Sequence, residues 1–161
     1  MLKLVVFFTF LLVCCGYAWF RGGAPERIAA TIFAVGTALT IVTAWNSTNR
    51  FGSFELGIFV VDLACLVGFL ILALHAERYW PLWVTALQII GTAGHAMKLA
   101  DPDTLGWAYA FLLAFGTYPM LALIALGTWR HQRRLALHGA DPSWSTSSAR
   151  SGRVPQGGPT A

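Results

Sequence analysis

The sequence predicts an all-α membrane protein, a bundle of five transmembrane helices followed by a disordered C-terminal tail. Hydrophobic residues make up 57% of the 161 residues and charged residues only 11%, whereas soluble domains carry about a quarter charged residues. The apolar residues fall into five blocks, each long enough to cross a hydrocarbon core that takes about 20 helical residues. Tryptophans lie near the ends of the blocks, as expected for amphipathic rings at the headgroup level.

The five blocks define a predicted transmembrane domain over residues 1–130. The first block begins at the N-terminus and is similar to a secretory signal, but it has no small-residue cleavage site and its apolar run is longer than a typical signal core. It is therefore interpreted as a transmembrane helix. The predicted spans are 2–20, 28–45, 54–75, 80–98 and 105–129.

The distribution of basic residues predicts the orientation. Lys3, Arg50 and Lys98 lie on one side of the predicted membrane, and the other eight of the eleven basic residues lie on the opposite side, where the C-terminus also lies. The positive-inside rule therefore predicts a cytoplasmic C-terminus and an N-terminus outside. This alternation is typical of a multi-pass protein of a bacterial-type inner (cytoplasmic) membrane.

The predicted cytoplasmic tail, residues 131–161, is basic, rich in Ser, Gly and Pro, and without apolar periodicity. Such a composition predicts disorder, although the stretch RHQRRLALH at 130–138 extends the last helix briefly. The scattered arginines suit anionic lipid headgroups, so the lipid bilayer is an expected partner. They are too few and too dispersed to predict a nucleic-acid partner.

One acidic residue, Asp62, lies inside the apolar run GIFVVDLACLVGFL at 57–70. At 1.5 Å per residue, it lies roughly 12 Å below the outer surface, near the midplane. No Lys, Arg or His is expected at that depth, and desolvation disfavours the charged form, so we expect Asp62 to be uncharged. Other helices place polar side chains at the same level, which defines a predicted intramembrane polar site: Asp62, Gln88, Thr37, Thr117 and Tyr118.

Three interpretations of Asp62 are open, and in one of them a partner subunit supplies the missing cation. A neutral aspartic acid can hydrogen-bond to a neighbouring helix and hold the bundle together, a bond worth about 0.6 kcal/mol on average. An intramembrane acid that gains and loses a proton is also typical of proton or ion handling. Pro119, in the run FGTYPMLAL, removes one helix hydrogen bond near this level and predicts a kink in the fifth helix.

A second polar group is predicted at the outer rim, where Glu55, His95 and Lys98 lie near the ends of the third and fourth spans. Such a patch can sense protons or bind a metal, but most such rims are simply solvated, and no metal is predicted. Haem ligation needs two histidines at one depth. Because His75 and His95 are about 25 Å apart along the membrane normal, no haem or other cofactor is expected.

The remaining motifs limit the function. No nucleophile elbow, zinc-binding HExxH or phosphate loop is present, which argues against an enzyme. Cys14, Cys15 and Cys65 lack CxxC spacing and are interpreted as small buried hydrophobes. The first hypothesis is a non-enzymatic accessory or assembly subunit or scaffold, bound to a larger membrane protein or to another copy of itself. The second is a proton- or cation-linked transporter or channel component that uses Asp62. A holin-like or haem-binding membrane protein is less favoured.

Overall fold

In the computed structural model, the described residues are 2–46, 51–100, 106–139, 141 and 144, with side-chain surroundings for all of these except 46, 51–55, 99 and 106–114. They form five helices and, apart from one isolated bridge between Ala76 and Trp144, no β-structure. The helices are α1 (Leu2–Arg21), α2 (Ala24–Asn46), α3 (Phe51–His75), α4 (Trp80–Ala100) and α5 (Gly106–His138).

Three of these helices are long and apolar enough to cross a membrane, over Leu2–Arg21, Ala24–Trp45 and Leu56–His75. The prediction of an all-helical fold with membrane-spanning helices is confirmed to this extent. α4 has the required length but is less apolar, because it carries the buried polar residues Thr85, Gln88, Thr92 and His95. In α5 the side-chain surroundings are described only from residue 115 onward.

α2 begins at Ala24, before the predicted start at residue 28, because local hydrogen bonds cap it. The Gly23 N–H donates to the Glu26 carboxylate at 3.1 Å, and the Arg27 N–H donates to the Gly23 carbonyl at 3.1 Å. A glutamate three residues after the cap that returns to the cap's own N–H is half of a capping box. Gly22 lies so close to the Ala18 carbonyl and to Glu26 that a β-carbon would overlap them, so the turn from α1 to α2 requires glycine here.

α5 runs beyond the predicted end at 129 and stops at His138, where Gly139 adopts a φ of 71° and donates to the Leu135 carbonyl at 2.9 Å. Glycine is the usual residue in this left-handed helix cap. Residues 131–138 therefore belong to α5, as expected for the stretch RHQRRLALH at 130–138. The helix also continues through Pro119, and the kink at that position stays a prediction.

The helices pack in a ring. Each helix contacts the next one along the chain, α5 returns to pack on α1, and α2 also contacts α5 across the ring. Short connections at Gly22–Gly23 and at 76–79 join α1 to α2 and α3 to α4. The end of the bundle that contains these connections also contains the end of α5, and we call it the C-terminal end of the bundle. The buried core near this end includes Ala18, Phe69, Val84, Leu121 and Ile124.

Candidate functional site

A cavity of about 500 Å³ lies inside the ring, and all five helices contribute to its wall. Most of the lining is apolar, including Phe7 and Phe8 of α1, Phe33 of α2 and Phe69 of α3. The polar lining comes from α2, α3, α4 and α5. It consists of Thr37, Thr40, Asp62, Gln88, His95 and Thr117.

Asp62 and His95 form an ionisable pair in the wall of the cavity. The His95 Nε2 lies 3.0 Å from the Asp62 Oδ2, and both side chains are largely shielded. The Gln88 side chain donates to the backbone carbonyl of Asp62 at 3.3 Å. Gln88 and His95, which lie about two helical turns apart on α4, therefore both contact Asp62 of α3.

A polar stripe on α4 explains this geometry. Thr85, Gln88, Thr92 and His95 recur at spacings of three and four residues, so they share one helix face, and all four are buried. The Thr85 hydroxyl lies 3.1 Å from the Phe69 carbonyl and 2.8 Å from the Pro81 carbonyl, so the same face holds α4 against α3.

The expectation that no histidine lies at the level of Asp62 is wrong. Counting residues along the helix placed His95 in the outer-rim patch, because its position is near the outer end of the fourth predicted span. Side chains in a helix lean toward its N-terminus, which brings the imidazole back to Asp62. Of the other members of that patch, Lys98 is half-buried one turn further along α4, and the Glu55 side chain lies outside the described residues.

The predicted intramembrane site is brought together only in part. Asp62, Gln88, Thr37 and Thr117 all line the cavity. Tyr118 instead packs against α1, with its ring 6.2 Å from that of Phe7 and 6.0 Å from that of Phe10. Three further residues line the cavity that were not predicted to belong to this site: His95, Thr40 and Cys65.

The threonines present oxygen atoms to the cavity. The Thr37 hydroxyl donates to the Phe33 carbonyl at 2.9 Å, and the Thr40 hydroxyl donates to the Gly36 carbonyl at 3.0 Å. Because each hydroxyl hydrogen is used within α2, its oxygen remains as a hydrogen-bond acceptor. Together with Asp62, these groups make the polar wall rich in acceptors.

A second polar cluster lies at the C-terminal end of the bundle, around Glu26. This glutamate is completely buried and pairs with the Arg78 guanidinium. The Trp80 indole N–H donates to the same carboxylate at 3.2 Å. Buried charges require such partners, because an isolated charge away from water costs several kcal/mol or more.

Asp141 extends this cluster beyond α5. Its carboxylate lies 2.7 Å from an Arg78 nitrogen, 2.5 Å from the His131 Nδ1 and 2.9 Å from the Arg134 Nε. Arg78 therefore joins Glu26 of α2 to Asp141 at the C-terminal side of α5. Asp141 falls within the predicted tail, yet its carboxylate contacts α5 and the connection before α4.

This cluster was not predicted from the sequence. Arg78 and Arg134 entered only the count of positive charges on the cytoplasmic side, and Glu26 lies between the first two predicted spans. The spacing from Gly23 to Glu26 is a capping-box pattern that could have identified Glu26 as structurally engaged. The Arg78 partners lie 52 and 63 residues away in the chain, and no local pattern encodes such a pairing.

Asp141 makes stability depend on pH. Burial by itself would raise the pKa of Asp141, but hydrogen bonds from His131 and Arg134 and the charges of Arg78 and Arg134 lower it below its ordinary value. Its stabilising effect is therefore complete above the ordinary pKa of about 4 and is lost as the pH falls through the lowered value. We expect Asp141→Asn to lower the thermal unfolding temperature at pH 5, with a difference from the native protein that shrinks toward pH 3. An equal difference at both pH values would contradict this assignment.

Neither cluster has the composition of a metal centre. Within the described ranges, no three His, Cys, Asp or Glu side chains are grouped as a metal ion would require. The three cysteines are free thiols; Cys14 is buried, and Cys15 and Cys65 are half-buried.

Comparison with protein families, curated proteins and solved structures gives no match to this chain.

Proposed function

We propose that this chain is a small integral membrane protein that crosses a bacterial-type inner membrane five times and acts as a proton-linked carrier or channel component. The observation that carries the proposal is the Asp62–His95 pair, 3.0 Å apart in a cavity lined by all five helices. Ionisable side chains at membrane depth are typical of proton and ion pathways. His95 supplies a second titratable group next to Asp62, whereas the sequence predicted no Lys, Arg or His at the depth of Asp62.

The exposed surface of α4 supports a membrane crossing by this helix. Leu82, Trp83 and Ile89 of α4 are large, apolar and exposed on the outside of the ring, which suits contact with lipid. The polar residues of α4 face inward, and they lower its mean hydropathy without exposing polar groups to lipid. Several exposed arginines lie at the C-terminal end of the bundle, which supports placing that end in the cytoplasm: Arg21, Arg27, Arg130 and Arg133.

The pair can exchange a proton for a cation without a change in charge. When both ring nitrogens of His95 carry a proton, the imidazolium and an ionised Asp62 are neutral together. When the proton leaves, the carboxylate carries a single negative charge, which a bound cation can neutralise. Because net charge inside the membrane is costly, proton release and cation binding favour one another.

The test measures proton movement in proteoliposomes that contain a pH-sensitive dye. Outward gradients of sodium, potassium and tetramethylammonium ions are imposed in turn. We expect the native protein to move protons in response to at least one gradient, and Asp62→Asn to lower the initial rate at least about tenfold, because the amide holds no charge. Glu77→Gln is the matched control, since it also replaces a carboxylate by an amide, but at an exposed position outside the cavity.

Two results would contradict the proposal. One is an equal proton flux through native protein and Asp62→Asn, and the other is no flux above that of empty liposomes under any gradient. Either result would favour the accessory-subunit or scaffold hypothesis, in which Asp62 only holds helices together. The ion pairs at the C-terminal end of the bundle support that hypothesis, because they hold this end in a fixed shape to which another protein could bind. It predicts that a membrane protein partner or a second copy of the chain co-purifies in stoichiometric amount in mild detergent.

A further inference from the structure

We propose that the cavity binds an organic cation, a substituted ammonium group carrying apolar substituents, in exchange for the proton of the Asp62–His95 pair. This inference rests on the proposed function and names its class of substrate. It is carried by three properties of the cavity: the chemistry of its polar groups, its aromatic wall and its size.

The polar groups favour a positively charged ligand. Asp62 supplies a carboxylate, and the Thr37 and Thr40 oxygens are acceptors because their hydrogens are donated within α2. Among the described lining residues there is no Lys or Arg, so no permanent positive charge competes for Asp62. An anionic ligand would meet a carboxylate and acceptor oxygens, which repel it.

The aromatic wall and the size favour an organic cation over a metal ion. Four phenylalanine rings line the cavity, and aromatic faces attract cations within about 6 Å. A volume of about 500 Å³ lies within the range of about 300–1,000 Å³ that is typical of small-molecule sites. A bare inorganic cation needs several oxygen ligands around it, and a mostly apolar wall supplies too few.

The exchange is balanced in charge and in protons. The cation pairs with the Asp62 carboxylate, the imidazolium of His95 releases one proton to water, and no covalent bond changes. Of the titratable groups near the pair, Cys65 lies on α3 and lines the cavity, Lys98 lies one turn beyond His95 on α4, and Tyr118 of α5 packs toward α1. In the described part of α1 and α2, the cavity wall contains only residues that do not titrate near neutral pH.

The first test measures binding of tetraphenylphosphonium, and separately of benzyltrimethylammonium, to the purified protein in detergent by isothermal titration calorimetry. We expect saturable binding of at least one cation and none of tetraphenylborate, which matches the first probe in size with opposite charge. Asp62→Asn should weaken binding at least about tenfold. The affinity should rise with pH by up to about tenfold per unit where one proton is released, and His95→Gln should remove that dependence.

Two glycines provide a matched test of the cavity itself. Gly91 lines the cavity, and a β-carbon there would meet nothing within 4 Å, so Gly91→Leu should fill the cavity without a clash. Gly16 on α1 is equally open and does not line the cavity. The two substitutions should change helix propensity to a similar extent. We expect Gly91→Leu to weaken cation binding at least about tenfold and Gly16→Leu to leave it unchanged.

The outcomes separate this inference from the function on which it rests. If neither cation binds, or if both bind equally to native protein, Asp62→Asn and Gly91→Leu, the inference is overturned. Proton flux driven by sodium or potassium would leave the proposed function standing in that case. Cation binding that requires Asp62, without proton flux under any gradient, would overturn the carrier function and keep the binding site.

Discussion

Replacing Arg78 with alanine is expected to lower the free energy of unfolding by about 3–5 kcal/mol, the range for breaking a buried ion pair by removing one partner. The Arg78 side chain is 3% exposed, and that of its partner Glu26 is 0% exposed. Without the guanidinium, Glu26 keeps only the Gly23 N–H and the Trp80 indole as donors. The loss follows mainly from the carboxylate that stays buried.

Unfolding of Arg78→Ala in detergent, followed by far-ultraviolet circular dichroism, measures this effect. Arg133→Ala is the control, because Arg133 is exposed on α5 and lies over the Trp129 ring at 5.6 Å; we expect a change below about 1 kcal/mol. The double variant Arg78→Met with Glu26→Gln removes both charges and should recover part of the lost stability. If Arg78→Ala unfolds like the native protein, the buried pair does not stabilise the bundle.

The second large effect is expected for Phe69→Ala, with a loss of about 2–4 kcal/mol from the cavity left in the core. The Phe69 side chain is 1% exposed, and it lies where α3 packs on the central cavity. In a membrane protein, the Phe69 ring is in contact with protein in the folded state and with lipid in the unfolded state, so its transfer from water contributes little. The loss of stability therefore comes mainly from lost packing. The free energy of unfolding in detergent, measured as for Arg78, gives the magnitude.

The adjacent residue provides the control for this prediction. Leu70 is 46% exposed on the outside of the ring, where lipid or detergent replaces its contacts. Leu70→Ala should therefore change the free energy of unfolding by less than about 1 kcal/mol. Equal losses for Leu70→Ala and Phe69→Ala would mean that α3 does not present the face containing Phe69 to the core.

Part of the candidate site was predictable from the sequence. Asp62 stands out because a charged residue in a long apolar run is costly. Gln88 and Thr37 follow from counting residues along each helix, since the rise per residue is constant. Counting residues placed His95 at the wrong depth, because the direction and length of a side chain shift its functional atoms by about one helical turn relative to the Cα atom. The four-residue polar stripe on α4 shares one face, so it predicts a common orientation for Gln88 and His95.

The amino-acid order by itself determined the number of helices and, within a few residues, their bounds. Those features depend on local causes, namely the length of the apolar runs, the glycines at 22 and 139, and the tryptophans at the block ends. Only the tertiary structure decided which side chains meet. α3 is apolar around its whole circumference, so its composition does not specify which face turns inward, and packing against α2 and α4 has to orient Asp62. The contacts of Arg78 with Glu26 and Asp141 likewise join distant parts of the chain, which no local propensity can specify.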